Sequence, residues 1–256
     1  MSGAAAPAWP RLLGIVGGLG PHAHVEFERR LLRAAQPVET EQDYPPWILA
    51  SLPATPDRTA CLLDGGLSPV PRLRESLRLL AGRADFAVIA CVTAHAFLGE
   101  VRAESPLPIL DLVDATLSEA AARRGEGAHV GVLATTGTLR SRLFPDAAAR
   151  LAPGLRVTSL LDLPDGERLQ EEWVMRAIYG LKAGAGPDAT ARLTGLLKRA
   201  AGRLAEAGAD VVLTACTEVG MALGGDPADH AELLDPLDVG ARAALAVSRG
   251  ERPLPD

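Results

Sequence analysis

The chain has 256 residues, 48% hydrophobic and 23% charged, and 26 Lys and Arg against 32 Asp and Glu leave a formal net charge of −6. This composition excludes a mostly disordered chain and a coiled coil, and the length suffices for one large α/β domain or two smaller ones with real cores. No segment gathers Lys and Arg into a phosphate-binding face, and no apolar run reaches the roughly 18–20 residues of a spanning helix, so neither nucleic acid nor a membrane is an expected partner.

Residues 1–10, rich in Ala and Pro, lack the basic and apolar regions of a signal peptide and read as a short disordered leader. A first strand is predicted over Arg11–Gly17, then a glycine-rich turn and a helix over Ala23–Ala35. A second strand at Pro46–Leu52 runs into a proline-rich turn at 53–57. A helix over Pro69–Gly82 leads to a strand at Asp85–Cys91, and a short strand at Leu107–Leu110 leads to a further helix. A strand at Ala128–Ala134, a helix after Thr138 and a strand near Leu155–Leu160 follow. Helices around Glu167–Leu181 and Pro187–Ala207, a strand at Asp210–Cys216 and a last helix from Pro236 to Ser248 close the chain. Apolar strands alternating with amphipathic helices predict parallel sheets with helices on both faces.

The chain repeats itself. Ala84-Asp85, a strand, then Ala90-Cys91 matches Ala209-Asp210, a strand, then Ala215-Cys216. Leu110-Asp111 and Asp114 match Leu234-Asp235 and Asp238, and Gly14-Ile15-Val16-Gly17 loosely matches Gly131-Val132-Leu133-Ala134. The two cysteines are 125 residues apart and the paired aspartates Asp111 and Asp235 are 124 apart. Two related α/β halves are therefore expected, each with one Cys where a strand ends and a helix begins.

Ligands of open parallel sheets bind beyond the carboxyl ends of the strands. A Cys placed there faces the N–H groups and dipole of the following helix, which are expected to lower its pKa from about 8.5 toward neutral. Two such thiols facing one carbon suit removal of a proton from one face and its return to the other, the chemistry of racemisation or epimerisation. Either Cys alone reads first as an inert buried residue. Equivalent places in a repeat favour the chemical reading. Cys61 has no repeat mate and reads as structural. Three cysteines, odd in number and far apart, argue against a disulfide framework and for a reducing cytoplasm.

Six motifs occur in order: Gly17-Gly18-Leu19-Gly20-Pro21, Pro56-Asp57-Arg58-Thr59, Cys91-Val92-Thr93-Ala94-His95, Leu133-Ala134-Thr135-Thr136-Gly137-Thr138, Lys182-Ala183-Gly184 and Cys216-Thr217-Glu218-Val219. From about Leu12 to Ala244 the chain resembles the aspartate/glutamate racemase family, whose enzymes work without pyridoxal phosphate. The resemblance implies two pseudo-symmetric α/β domains with parallel sheets, an active site in the cleft between them, and a last helix that returns to the first domain. With the repeat, it places 1–113 and 229–256 in the first domain and 114–228 in the second. It implies Cys91 and Cys216 as the two acid/bases. Arg58 and Lys182 would hold the side-chain carboxylate of a small acidic amino acid, with Thr93, Thr135, Thr136, Thr138, Thr217 and Glu218 as further substrate contacts. No cofactor is implied, and a homodimer is. The threonines also read as ordinary helix N-caps.

The chain departs from the family pattern near the expected pocket. Val92 stands where an Asn donor is usual, His22-Ala23-His24 where Leu-Ala-Thr is common, and Ser51 where an Asn is common. These changes imply an altered substrate, a modified or larger acidic amino acid. His95, one turn beyond Cys91, is expected to tune the thiol or to wall the pocket with His22, His24, Val92 and Ser51. His22 and His24 do not share a helix face and lack a third ligand nearby, so no metal is expected. The glycines of 14–20 do not follow the dinucleotide-loop pattern. Two rival functions stand beside racemisation. One is a same-fold isomerase or decarboxylase that uses one cysteine as nucleophile or base on a carboxylic acid. The other is a non-catalytic homologue that binds a metabolite.

Overall fold

In a computed structural model that describes residues 9–224 and 231–255, the first half of the chain runs β1 (Leu13–Gly17), α1 (Pro21–Ala34), β2 (Trp47–Ser51), α2 (Arg58–Asp64), α3 (Val70–Leu80), β3 (Phe86–Ile89), a 3-10 segment (Val92–Phe97), α4 (Leu98–Arg102) and β4 (Ile109–Leu110). The second half runs α5 (Leu112–Arg124), β5 (His129–Leu133), α6 (Thr136–Arg140), α7 (Leu143–Leu151), β6 (Arg156–Ser159), α8 (Gly166–Leu169), a π-helical stretch (Gln170–Met175), α9 (Arg176–Lys182), α10 (Pro187–Glu206), β7 (Val211–Thr214), α11 (Thr217–Leu223), β8 (Glu232–Leu234) and α12 (Pro236–Ser248). The central strands β1, β3, β5 and β7 are buried at every position. Continuous apolar runs of this kind are what parallel sheets covered on both faces require. The strands form two parallel four-stranded sheets, ordered β2-β1-β3-β4 and β6-β5-β7-β8. The fold is thus α/β with two sheets of the same topology.

The sequence repeat has a hydrogen-bonded counterpart. The Asp85 carboxylate accepts the Leu12 N–H at 2.7 Å, and the Asp210 carboxylate accepts the His129 N–H at 2.8 Å. Each aspartate N–H returns a bond to the same partner's carbonyl, at 2.9 and 2.8 Å. Each Ala-Asp pair therefore pins the start of its own strand to the start of the central one. A Cβ on Gly14 would lie 3.1 Å from the Ala84 Cβ, and one on Gly131 would lie 3.2 Å from the Ala209 Cβ. The paired glycine and alanine let α3 and α10 sit close over the two sheets. Asp111 caps α5 through the Val113 and Asp114 N–H groups, and Asp235 caps α12 through Leu237.

The helices after β4 and β8 change partners. Val113, Leu117 and Ala120 of α5 pack with Val130 and Val132 of the second sheet, whereas Leu237, Ala241 and Leu245 of α12 pack with Ile15 and Val88 of the first. The expected switch at residue 229 lies outside the described residues; β8 pairs with β7, and Leu237, Ala241 and Leu245 of α12 join the first sheet's core while Val239 joins the second's. Most of the expected leader, residues 1–8, also lies outside the described residues. Trp9 does not behave as leader, because its Nε1 donates to the Asp43 carbonyl at 2.9 Å and Arg249 stacks on its ring. The helix α2 was not expected. The Asp57 side chain caps it by accepting the Ala60 N–H at 2.8 Å, so the proline-rich turn ends in a helix start. The single helix expected over Glu167–Leu181 is interrupted by the π-helical stretch. Among the described residues, no helix is long and apolar enough to cross a membrane.

Candidate active site

The carboxyl ends of the two sheets meet at one cleft. A cavity of about 20 Å³ there, room for about one water, is lined by Leu19, Ala23, Asp57, Arg58, Thr59, Cys91, Val92 and Thr93 from the first half and Lys182, Ala215, Cys216, Thr217 and Glu218 from the second. Cys91 follows β3 and Cys216 follows β7, the third strands of their halves in chain order.

The two thiols differ. Cys216 is buried and its Sγ donates to Glu218 Oε2 at 3.0 Å, whereas Cys91 is only partly buried and half-open to the cavity. Burial first, then the charge of Glu218, pushes the Cys216 thiol well above its ordinary value, against the pull of Lys182. This reverses the lowering expected from the helix start. The helix α11 has seven residues and carries Glu218 in its first turn, so its weak positive end is outweighed. Lys182, at the end of α9, stands at the cavity mouth. Burial of its ammonium pulls its pKa down, but its electrostatic interactions with Cys216, Glu218 and Cys91 prevail and hold it above the ordinary value.

Arg58, the first residue of α2, is buried and fixed. Its guanidinium donates to the carbonyls of Leu19 at 2.8 Å, Pro56 at 3.0 Å and Thr55 at 3.5 Å, while its buried Nε has no partner. Three carbonyls thus aim one cation, and its Nε–H is left without a partner. Val92 is both cavity wall and core, packing against Val113 and Val130.

Several expected pocket residues lie elsewhere. His95 uses both ring nitrogens on backbone: Nδ1 lies 3.0 Å from the Cys91 carbonyl and Nε2 accepts the Leu112 N–H at 3.2 Å. Those partners assign the Nδ1–H tautomer and make His95 a clamp between the Cys91 backbone and α5, not a cavity wall. His24 is buried, and its Nδ1 accepts the Gly18 N–H at 3.2 Å beneath the glycine turn. His22 is exposed at the start of α1, Ser51 is exposed at the end of β2, and neither lines the cavity. No group of three or more His, Cys, Asp or Glu that could hold a metal occurs among the described residues. Thr136 faces away from the cavity, toward Gln170 at 3.4 Å and Met175, whose sulfur accepts its N–H at 3.2 Å. Thr135 caps α6 and, with Thr138, lies behind Thr93 and outside the cavity lining. Thr59 was not anticipated, although it closes the Pro56-Asp57-Arg58-Thr59 motif. The visible signal was its place beside Arg58.

The profile of the Asp/Glu/hydantoin racemase family matches residues 16–244. A glutamate racemase of Deinococcus radiodurans is 34% identical over 158 residues, which are 61% of this chain and 50% of that protein. The chain spans about half the length or less of the curated relatives it matches. Among solved structures, an aspartate racemase of Picrophilus torridus has a TM-score of 0.77 at 24% identity, covering 94% of each chain. An aspartate racemase homologue of Pyrococcus horikoshii has a TM-score of 0.70 at 19% identity, covering 93% of this chain and 99% of that one. These two share the fold. With a family profile that spans nearly the whole chain and two equivalent cysteine-bearing strand ends converging on one cleft, the protein belongs to the Asp/Glu/hydantoin racemase family.

Proposed function

We propose that the protein is an isomerase that racemises or epimerises an acidic amino acid, aspartate- or glutamate-like, with Cys91 and Cys216 as its two acid/bases. The observation that carries this reading is that two thiols from equivalent strand ends line one cavity together with Arg58 and Lys182. One thiolate takes the α-proton as the C–H bond breaks. The thiol opposite gives its proton to the other face of the carbanion. Thiol and thiolate have then exchanged places, and the step balances with no further reactant. Cys216, hydrogen-bonded to Glu218, is the member that carries the proton in the arrangement described. Lys182 and the spare Nε of Arg58 are the donors for substrate carboxylates. Arg58 is buried, so its charge acts in little water, where it stabilises a developing carbanion most.

The test is α-proton exchange in D₂O, followed by NMR, with L- and D-aspartate and glutamate and then N-modified and longer acidic amino acids. Exchange with loss of optical purity is expected, and both Cys91→Ala and Cys216→Ala abolish racemisation. Dependence on one cysteine alone points instead to a nucleophile or single-base reaction. No exchange with any acidic amino acid, from folded protein with reduced thiols, overturns the proposal.

A further inference from the structure

Behind the cavity wall four buried threonine hydroxyls join the two halves. Thr59 and Thr93 belong to the first half and line the cavity, whereas Thr135 and Thr138 belong to the second and lie behind them. Each hydroxyl has one proton to give and two lone pairs to receive. Thr59 donates to Thr135 at 3.3 Å. Thr135 Oγ1 also accepts the Thr138 backbone N–H at 3.3 Å, which fills its lone pairs. Its own proton therefore goes to Thr138 Oγ1, 3.0 Å away. Thr138 in turn donates to Thr93 Oγ1 at 2.9 Å. Thr93 has one other hydroxyl in reach, Thr135 at 3.4 Å, and that oxygen is already full. The Thr93 proton is left for the cavity.

We propose that Thr59, Thr135 and Thr138 are positioning residues, a one-way hydroxyl relay across both halves that makes Thr93 a fixed hydrogen-bond donor to a carboxylate of the bound amino acid. The identity of that ligand rests on the racemase reading above. Each bond in the chain polarises the next, so the last donor is the strongest. The relay passes from the first half to the second and back. Parting the halves breaks the Thr59–Thr135 and Thr138–Thr93 bonds and frees Thr93 to turn, so the donor is set only when the cleft is closed. It also supplies polar recognition beside Val92, which has no donor to offer.

The experiment compares Thr138→Val, which keeps the shape and removes the hydroxyl, with Thr138→Ser, which keeps the hydroxyl and removes the methyl. The dissociation constants of L- and D-aspartate and glutamate are measured by calorimetry, alongside thermal unfolding and exchange in D₂O. For the tightest of these ligands, Thr138→Val is expected to weaken binding about tenfold, and Thr138→Ser to restore it to within about threefold. A packing role predicts the reverse order, with Ser worse than Val. That order, or an unchanged affinity in Thr138→Val, overturns the relay alone, whereas a wild-type protein that binds none of the four and none of the N-modified and longer acidic amino acids overturns both the relay and the racemase reading. Wild-type protein that binds and loses affinity in Thr138→Val but exchanges no proton leaves the relay standing and overturns the racemase reading.

Discussion

Gly137 of the second half packs against Thr59 of the first beside the cleft. A Cβ there would lie 3.0 Å from Thr59 Cα, 3.1 Å from its Oγ1 and 3.2 Å from its Cβ. Favourable carbon contacts begin near 3.5 Å, so Gly137→Ala requires α6 and α2 to part by roughly half an ångström. Overpacking of this size costs about 1–3 kcal/mol. The clash is between halves, so opening the cleft relieves it without unfolding either one. Ala also gains up to about 1 kcal/mol of helix propensity at this position in α6. The cost therefore falls on the closed, ligand-bound arrangement, and binding is expected to weaken by about 5- to 150-fold. The melting temperature is expected to stay within about 3 °C of wild type. Calorimetric titration with the amino acid that exchanges in D₂O, beside a thermal scan of the same sample, reads both quantities. Unchanged affinity would refute the argument. So would a large fall in melting temperature at unchanged affinity, because the clash would then be absorbed inside one half.

Glu218→Gln removes the negative charge that adds to burial in pushing the Cys216 thiol up, so alkylation of Cys216 by iodoacetamide, followed by mass spectrometry against pH, should move to lower pH. Lys182→Met removes the opposing pull and should move it to higher pH; a shift of either variant in the wrong direction contradicts the charge assignment. Asp210→Ala strips the part-buried His129 N–H of its acceptor and should cost about 1–3 kcal/mol, or very roughly 2–12 °C in melting temperature. Asp85→Ala strips an exposed N–H that water can satisfy, and its smaller loss in the same scan is the check.

The alternation of apolar strands and helices announced the α/β class, and the repeat announced two equivalent halves. Both readings rest on local periodicity, which a parallel sheet imposes residue by residue. The elements that did not show were short or capped by a single side chain. The strand β8 has three residues, and α2 begins at an aspartate after a proline-rich turn. The site residues divide in the same way. Cys91, Cys216, Arg58 and Lys182 stand in motifs with their own chemistry, and all four line the cavity. His95 and His24 also stand in motifs, but each points at backbone. Spacing placed them near the cleft and could not say which way they face.

What the sequence by itself determined is which strands end at the cleft and which reactive side chains ride on those ends, because the period of a strand and the start of a helix are local properties. What only the tertiary structure decided is the electrical and hydrogen-bonding state of those groups. Burial, and then the charge of Glu218, reverses the expected lowering of the Cys216 thiol. Three carbonyls brought together from the Leu19 turn and the 55–56 turn aim Arg58. Four hydroxyls from opposite halves close into one chain. Such states depend on burial and on distances of about 3 Å between residues far apart in sequence, and those distances exist only once both sheets have packed around a shared cleft.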